Sequence, residues 1–101
     1  MSSISMSTAL SGVAVAQERL RASAHNVANL STAGYRREQV ALSSLPAESG
    51  VQVSRSTATQ PGVSAERELI EQRSATYSYV ANLRVLETQI KTTGALLDIQ
   101  A

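Results

Sequence analysis

Apolar side chains recur every three or four positions at both ends of this chain, and that spacing leaves the two ends little choice but helix. Met6, Leu10, Val13, Gln17, Leu20, Ala24 and Val27 follow one another at intervals of 4, 3, 4, 3, 4 and 3. This is the pattern of a helix that buries one stripe, with Gln17 as its polar member. Ala9, Ala14, Ala16, Ala22 and Ala28 favour helix and permit close approach, and Gly12 weakens the middle slightly. The spacing predicts a helix over 4–30. Ser31-Thr32-Ala33-Gly34 stops it, with Gly34 able to adopt a left-handed conformation.

At the other end, Leu69, Gln72, Thr76, Tyr79, Leu83, Leu86, Ile90, Thr93 and Leu97 repeat the spacing and predict a helix over 63–99. Ser64 is the expected N-cap, although Arg67 rather than an acid stands at the capping-box position. Glu66 and Glu68 suit the positive end of the helix dipole. The stripe is polar at first and apolar from Tyr79 onward. At about 1.5 Å per residue each helix is about 40–50 Å long.

Residues 31–62 differ in character. Val51 and Val53 alternate with Gln52 and Ser54, a strand signal, and Pro46 to Gly50 reads as a turn. A β-hairpin pairing 37–44 with 51–57 fits this segment, as does a loop that orders only on assembly, because an isolated hairpin is marginal in water. Gln60-Pro61-Gly62 closes the segment. The fold expected is therefore mainly α: a single domain of two long antiparallel terminal helices forming a coiled-coil-like hairpin, with a short β-hairpin or irregular middle. A pair of such helices alone leaves much of its apolar stripe exposed, which argues for partner helices.

Composition agrees with helix seams rather than a thick core. Of the 101 residues 43% are hydrophobic, but only 3% are aromatic, all of them tyrosine, and large aromatics supply much of the burial in compact cores. A net charge of +1 gives no strong drive towards nucleic acid or anionic membrane. There is no cysteine, hence no disulfide and no thiolate metal site. Met1 to Leu20 carries no basic region followed by a continuous apolar run, so no Sec-type signal peptide is expected. A run of about 18 apolar residues, which a membrane span needs, is lacking.

Little in the chain points to catalysis. His25 is the sole histidine and lacks ligand-type neighbours at helical spacing, so it reads as a polar residue at a helix end. Ser23, two positions away, falls on another helix face and does not make a nucleophile–base pair. Glu66, Glu68 and Glu71 read as a solvated face, not as acid–base machinery. Gly34, Gly50 and Gly62 are too far apart for a phosphate loop. Arg36, Arg37 and Arg55 lack the interleaved aromatics of a nucleic-acid surface. No catalytic residue, cofactor, metal or small-molecule substrate is expected.

Two segments carry more information. Asn26-Val27-Ala28-Asn29-Leu30-Ser31-Thr32-Ala33-Gly34-Tyr35-Arg36-Arg37 puts two asparagines on one helix face, reverses the chain at Thr32 and Gly34, and anchors the exit with Tyr35. Tyr79-Val80-Ala81-Asn82-Leu83-Arg84-Val85-Leu86 sets Asn82 in an otherwise apolar helix, either to fix register or as an exposed residue. Together they resemble the bacterial flagellar basal-body rod family, whose first signature runs Asn-hydrophobic-Ala-Asn-x-x-Thr-Pro-Gly-Tyr/Phe-Lys. The closing helix of that family is similar to Glu68-Leu69, then Tyr79-x-Ala81-Asn82, then Val85-Leu86, ending in Gly94-Ala95-Leu96-Leu97-Asp98-Ile99. The resemblance covers 4–40 and 63–99. It departs at Ala33, where proline is usual, at His25 and Ser31, where asparagine is frequent, and in the shortness of the middle. The chain is thus similar to a short member, close to the terminal coiled-coil domain of proximal rod proteins.

The resemblance implies a structural subunit of the flagellar basal-body rod, exported through the flagellar type III apparatus without a cleaved signal. Its partners would be other rod subunits and further copies of itself. On this basis Leu10, Val13, Leu20 and Val27 are expected to face Leu83, Leu86, Ile90 and Leu97, with Asn26, Asn29 and Asn82 setting register and Thr32, Gly34, Tyr35 and Tyr79 completing the assembly residues. The competing expectation is a helical partner-binding protein, chaperone-like or regulatory, that does not polymerise. A small hydrolase using Ser23 or His25 is a third reading.

Overall fold

A computed structural model of the chain describes residues 2–44 and 51–100. It is mainly helical. Helix α1 spans Ser2–Ala28, strand β1 Arg36–Ser44, strand β2 Val51–Pro61 and helix α2 Ala65–Gln100. The strands form a two-stranded antiparallel sheet in the middle of the chain. The middle is thus a hairpin and not an irregular loop. It is longer than the expected 37–44 and 51–57, and the expected turn at Pro46 to Gly50 lies outside the described residues.

Helix α1 stops two residues earlier than the spacing suggests. Leu30 N–H bonds back to Val27 O at 3.1 Å, Thr32 N–H to Asn29 O at 3.0 Å and Tyr35 N–H to Thr32 O at 3.2 Å. These three-residue steps tighten the chain out of α geometry. Gly34, at φ 75°, then turns it, a conformation costly for any residue with a Cβ. At the far side of the sheet, Ser64 caps α2 as expected: its Oγ accepts from Arg67 N–H at 3.3 Å.

The helices lie side by side and run in opposite directions. Gly12 sits against Asn82, Arg19 bonds Glu71, and Ser23 bonds the Glu68 carbonyl. Among the residues whose burial is described, Ala9, Val15, Ala16 and Ala22 of α1 and Ala75 of α2 are the buried apolar ones. The seam is therefore made of small side chains, and the backbones approach closely. A Cβ on Gly12 would overlap the Asn82 carboxamide.

Continuing this register brings Ser2 level with about Thr92, so the last two turns of α2 run past the start of α1. The dimensions are 62 × 26 × 14 Å and the radius of gyration is 17.4 Å, against about 13 Å for a compact chain of this length. The thin, elongated shape follows from long helices joined by a seam with almost no large apolar side chain in it.

In the sheet, Glu38 pairs with Thr57, Val40 with Arg55 and Leu42 with Val53, with an irregularity between Arg36 and Glu38. Among the described residues no helix is long and apolar enough to cross a membrane.

Candidate interaction surfaces

A buried polar knot ties the hairpin to both helices. Asn26, in the last turn of α1, is fully buried and uses its whole hydrogen-bonding capacity. Its Nδ2 donates to Glu38 O at 3.0 Å and to Glu68 Oε1 at 2.8 Å. Its Oδ1 accepts from Glu38 N–H at 2.7 Å and from the Tyr35 hydroxyl at 2.9 Å. The Glu38 amide can only donate, which fixes which end of the Asn26 carboxamide is oxygen. Tyr35 must then give its one proton to Asn26. It follows that His25 Nδ1, 2.7 Å from the Tyr35 hydroxyl, carries a proton and donates it to that oxygen.

Glu68, in the first turns of α2, is 0% exposed. Its second oxygen accepts from Arg37 Nε at 3.2 Å, and Arg37 Nη2 reaches Oε1 at 3.3 Å. Burying a carboxylate is costly unless it is paired and hydrogen-bonded, and here Asn26 and Arg37 meet that demand. Burial and the Glu38 and Glu68 carboxylates raise the pKa of the Tyr35 phenol, so Tyr35 stays a donor. Among the described residues no buried side-chain nitrogen or oxygen lacks a partner.

Around the knot runs a charged lattice. Glu18 accepts from Arg55 of β2 and from Arg21, and Arg21 also pairs with Glu38. Hydrogen bonds from Arg55, then from Arg21, lower the Glu18 pKa to about 2. Arg21 and Arg55 are raised in turn, chiefly by Glu38 and by Glu18 respectively. A polar cleft of about 330 Å³, bordered by Arg19, Asn26, Arg37, Glu38, Glu68 and Glu71, opens between the hairpin and the helix pair. The expectation that Glu66, Glu68 and Glu71 form a solvated face is corrected. Only Glu66 is exposed; Glu71 is half-buried against Arg19 at 2.7 Å, and Glu68 is enclosed by the knot.

The large aliphatic residues lie elsewhere. Leu10 is 56% exposed, Ile90 59% and Leu97 63%, and Val27 and Leu83 are also open to solvent. Val13, Leu20 and Leu86 are half-buried at the margins of the seam, as is Tyr79. The expected facing of Leu10, Val13, Leu20 and Val27 with Leu83, Leu86, Ile90 and Leu97 is therefore not what joins the helices. The contact is shifted by one residue along α1, to Ala9, Gly12, Ala16, Arg19, Ser23 and Asn26, and along α2 it uses Glu68, Gln72, Ala75 and Asn82. Small residues win the inner face because they bring polar partners within hydrogen-bonding reach, whereas leucines would hold the helices apart.

Of the three asparagines, Asn26 bridges elements. Asn82 stands between the helices against Gly12, its Nδ2 on Ser78 O at 2.8 Å. Asn29 makes local bonds, to His25 O at 3.0 Å and from the Thr32 hydroxyl at 3.2 Å. On the outer side of α2, Leu69, Thr76, Tyr77 and Val80 line an apolar depression of about 510 Å³ with Gln72 and Arg73.

The residues that sequence reasoning missed are Glu68, Arg37 and Glu38 in the knot, Glu18, Arg21 and Arg55 in the lattice, and the inner seam itself. A signal for the seam existed: Ala9, Gly12, Ala16, Arg19, Ser23 and Asn26 follow the same three-four spacing as the aliphatic stripe, offset by one. Among the described residues no cluster of three His, Cys, Asp or Glu side chains is placed to hold a metal ion. Compared with known proteins, the chain matches no family model and no curated sequence.

Proposed function

We propose that this chain is a structural subunit of the bacterial flagellar basal-body rod that assembles through its two terminal helices. The observation that carries the reading is the separation of two helix faces. Small and polar residues join α1 to α2, while Leu10, Val27, Leu69, Leu83, Ile90, Leu96 and Leu97 stand outside that joint. Extended apolar surface of this kind marks a contact with other macromolecules. Burying each large aliphatic contributes roughly 1.5–3 kcal/mol, and on this reading much of that burial exists only in the assembly. The paired signatures around Asn26–Arg37 and Tyr79–Leu86 support the family, and the antiparallel pair supports a coiled-coil-like terminal domain.

On this reading the role is mechanical, with no catalysis and no bound cofactor. The partners are other rod subunits, further copies of the chain and the type III export apparatus. The place of work is the rod of the basal body, reached by export without a cleaved signal. The apolar depression beside Tyr77 and Val80 favours one alternative, a chaperone-like or regulatory binder that holds a single partner without polymerising.

Deleting the gene in its flagellated host and complementing with wild type tests the proposal. A non-motile deletion strain that fails to secrete distal filament proteins, restored in both by wild type, supports a rod subunit. Unimpaired swimming and secretion in the deletion strain removes the proposal and leaves the single-partner binder.

A further inference from the structure

We infer that Glu68 is a positioning residue through which α2 sets the pose of the hairpin, acting by way of Asn26. Among the described residues, the hydrogen bonds between α2 and the hairpin all pass through the Glu68 carboxylate, by way of Arg37. Glu68 makes no bond to the β1 backbone. It holds Asn26, and Asn26 holds both the N–H and the C=O of Glu38, as a neighbouring strand would.

The charged contacts between the hairpin and α1 are Arg21–Glu38, Arg55–Glu18 and the 3.7 Å approach of His25 Nδ1 to Glu38; each has one exposed partner, so water and salt weaken them. Glu68 and Asn26 are each 0% exposed, so their link is not screened. The base of the hairpin is bounded by two glycines of positive φ, Gly34 at 75° and Gly62 at 121°. Gly62 N–H donates to Tyr35 O at 2.9 Å, which closes the base.

The relay has a mechanical consequence. A shift of α2 along α1 withdraws the acceptor from Asn26 Nδ2 and frees the carboxamide that grips β1. Helix register and hairpin pose are thereby one variable. This inference concerns the single chain and does not depend on the assembly reading.

Amide hydrogen exchange, followed residue by residue by NMR, reads the relay directly, because the Glu38 N–H has Asn26 Oδ1 as its acceptor. In Glu68→Ala the protection of the Glu38 amide is expected to fall at least about tenfold, while the interior amides of α1 and α2 and the β1–β2 ladder keep theirs. Unchanged protection at Glu38 overturns the inference. If Glu68→Ala unprotects every amide alike, Glu68→Asp decides, since it keeps the charge and shortens the reach. Selective loss at Glu38 in that variant upholds the relay, and uniform loss or none overturns it.

Discussion

The close approach of the two helices at Gly12 makes a prediction about sign. Replacing a glycine in a helix interior with alanine ordinarily stabilises by about 0.8–1 kcal/mol. Here the added Cβ meets the Asn82 carboxamide. That side chain must leave its seat and give up its bond to Ser78 O, worth about 1 kcal/mol. Overpacking a tight contact costs about 1–3 kcal/mol more. Gly12→Ala is therefore expected to destabilise by about 1–3 kcal/mol net. In an Asn82→Ala background the obstacle is gone, and the same substitution is expected to stabilise by up to about 1 kcal/mol. Urea unfolding followed by far-UV circular dichroism, at low protein concentration and with an osmolyte to bring the transition into range, gives all four corners of the cycle. If Gly12→Ala stabilises equally in both backgrounds, the helices do not meet at this point.

Further outcomes separate the roles of individual residues. Asn26→Ala leaves the Glu68 carboxylate and the Glu38 N–H and C=O short of partners and is expected to cost about 2–4 kcal/mol; Asn29→Ala removes local bonds only and is expected to cost under about 1 kcal/mol by the same assay. Gly34→Ala forces a Cβ into the left-handed region, at about 1–2 kcal/mol, whereas Gly94→Ala, in the helical overhang with open space around it, is expected to gain up to about 1 kcal/mol. Glu18 supplies a pH dependence: its carboxyl is held at about 2 when folded against 4.5 as a free group. Its contribution is thus fully present above pH 4.5 and is lost as the pH falls towards 2. Solvent keeps that contribution to about 1 kcal/mol, and Glu18→Gln is expected to flatten acid titrations in this window.

The fold was largely legible because helix spacing is a local property. The positions of α1 and α2, the Ser64 cap and the left-handed turn at Gly34 all follow from residues close in sequence. The alternation at Val51 to Ser54 suggested a strand but could not decide between hairpin and loop. That choice rests on Asn26, Arg21 and Glu18 reaching across from α1. Which face of each helix turns inward was not legible from hydrophobicity, because burial of leucine and close approach of alanine favour different faces. The polar knot that needs Asn26, Glu38 and Glu68 in one place favours the second. Glu68 looked like a dipole-favourable surface acid for the same reason: its partners are 31 and 42 residues away in the chain.

The proposed division of each helix into an inner face that pairs and an outer face that assembles is tested most directly by Leu83→Asp combined with Ile90→Asp. Both residues are exposed in the single chain, so the purified variant is expected to keep the helical content of wild type. When it replaces wild type in the deletion strain, cells that make the protein but neither swim nor secrete filament proteins are the expected result. Full motility from a strain carrying this variant contradicts the account, because a rod held together through these faces does not tolerate two buried carboxylates.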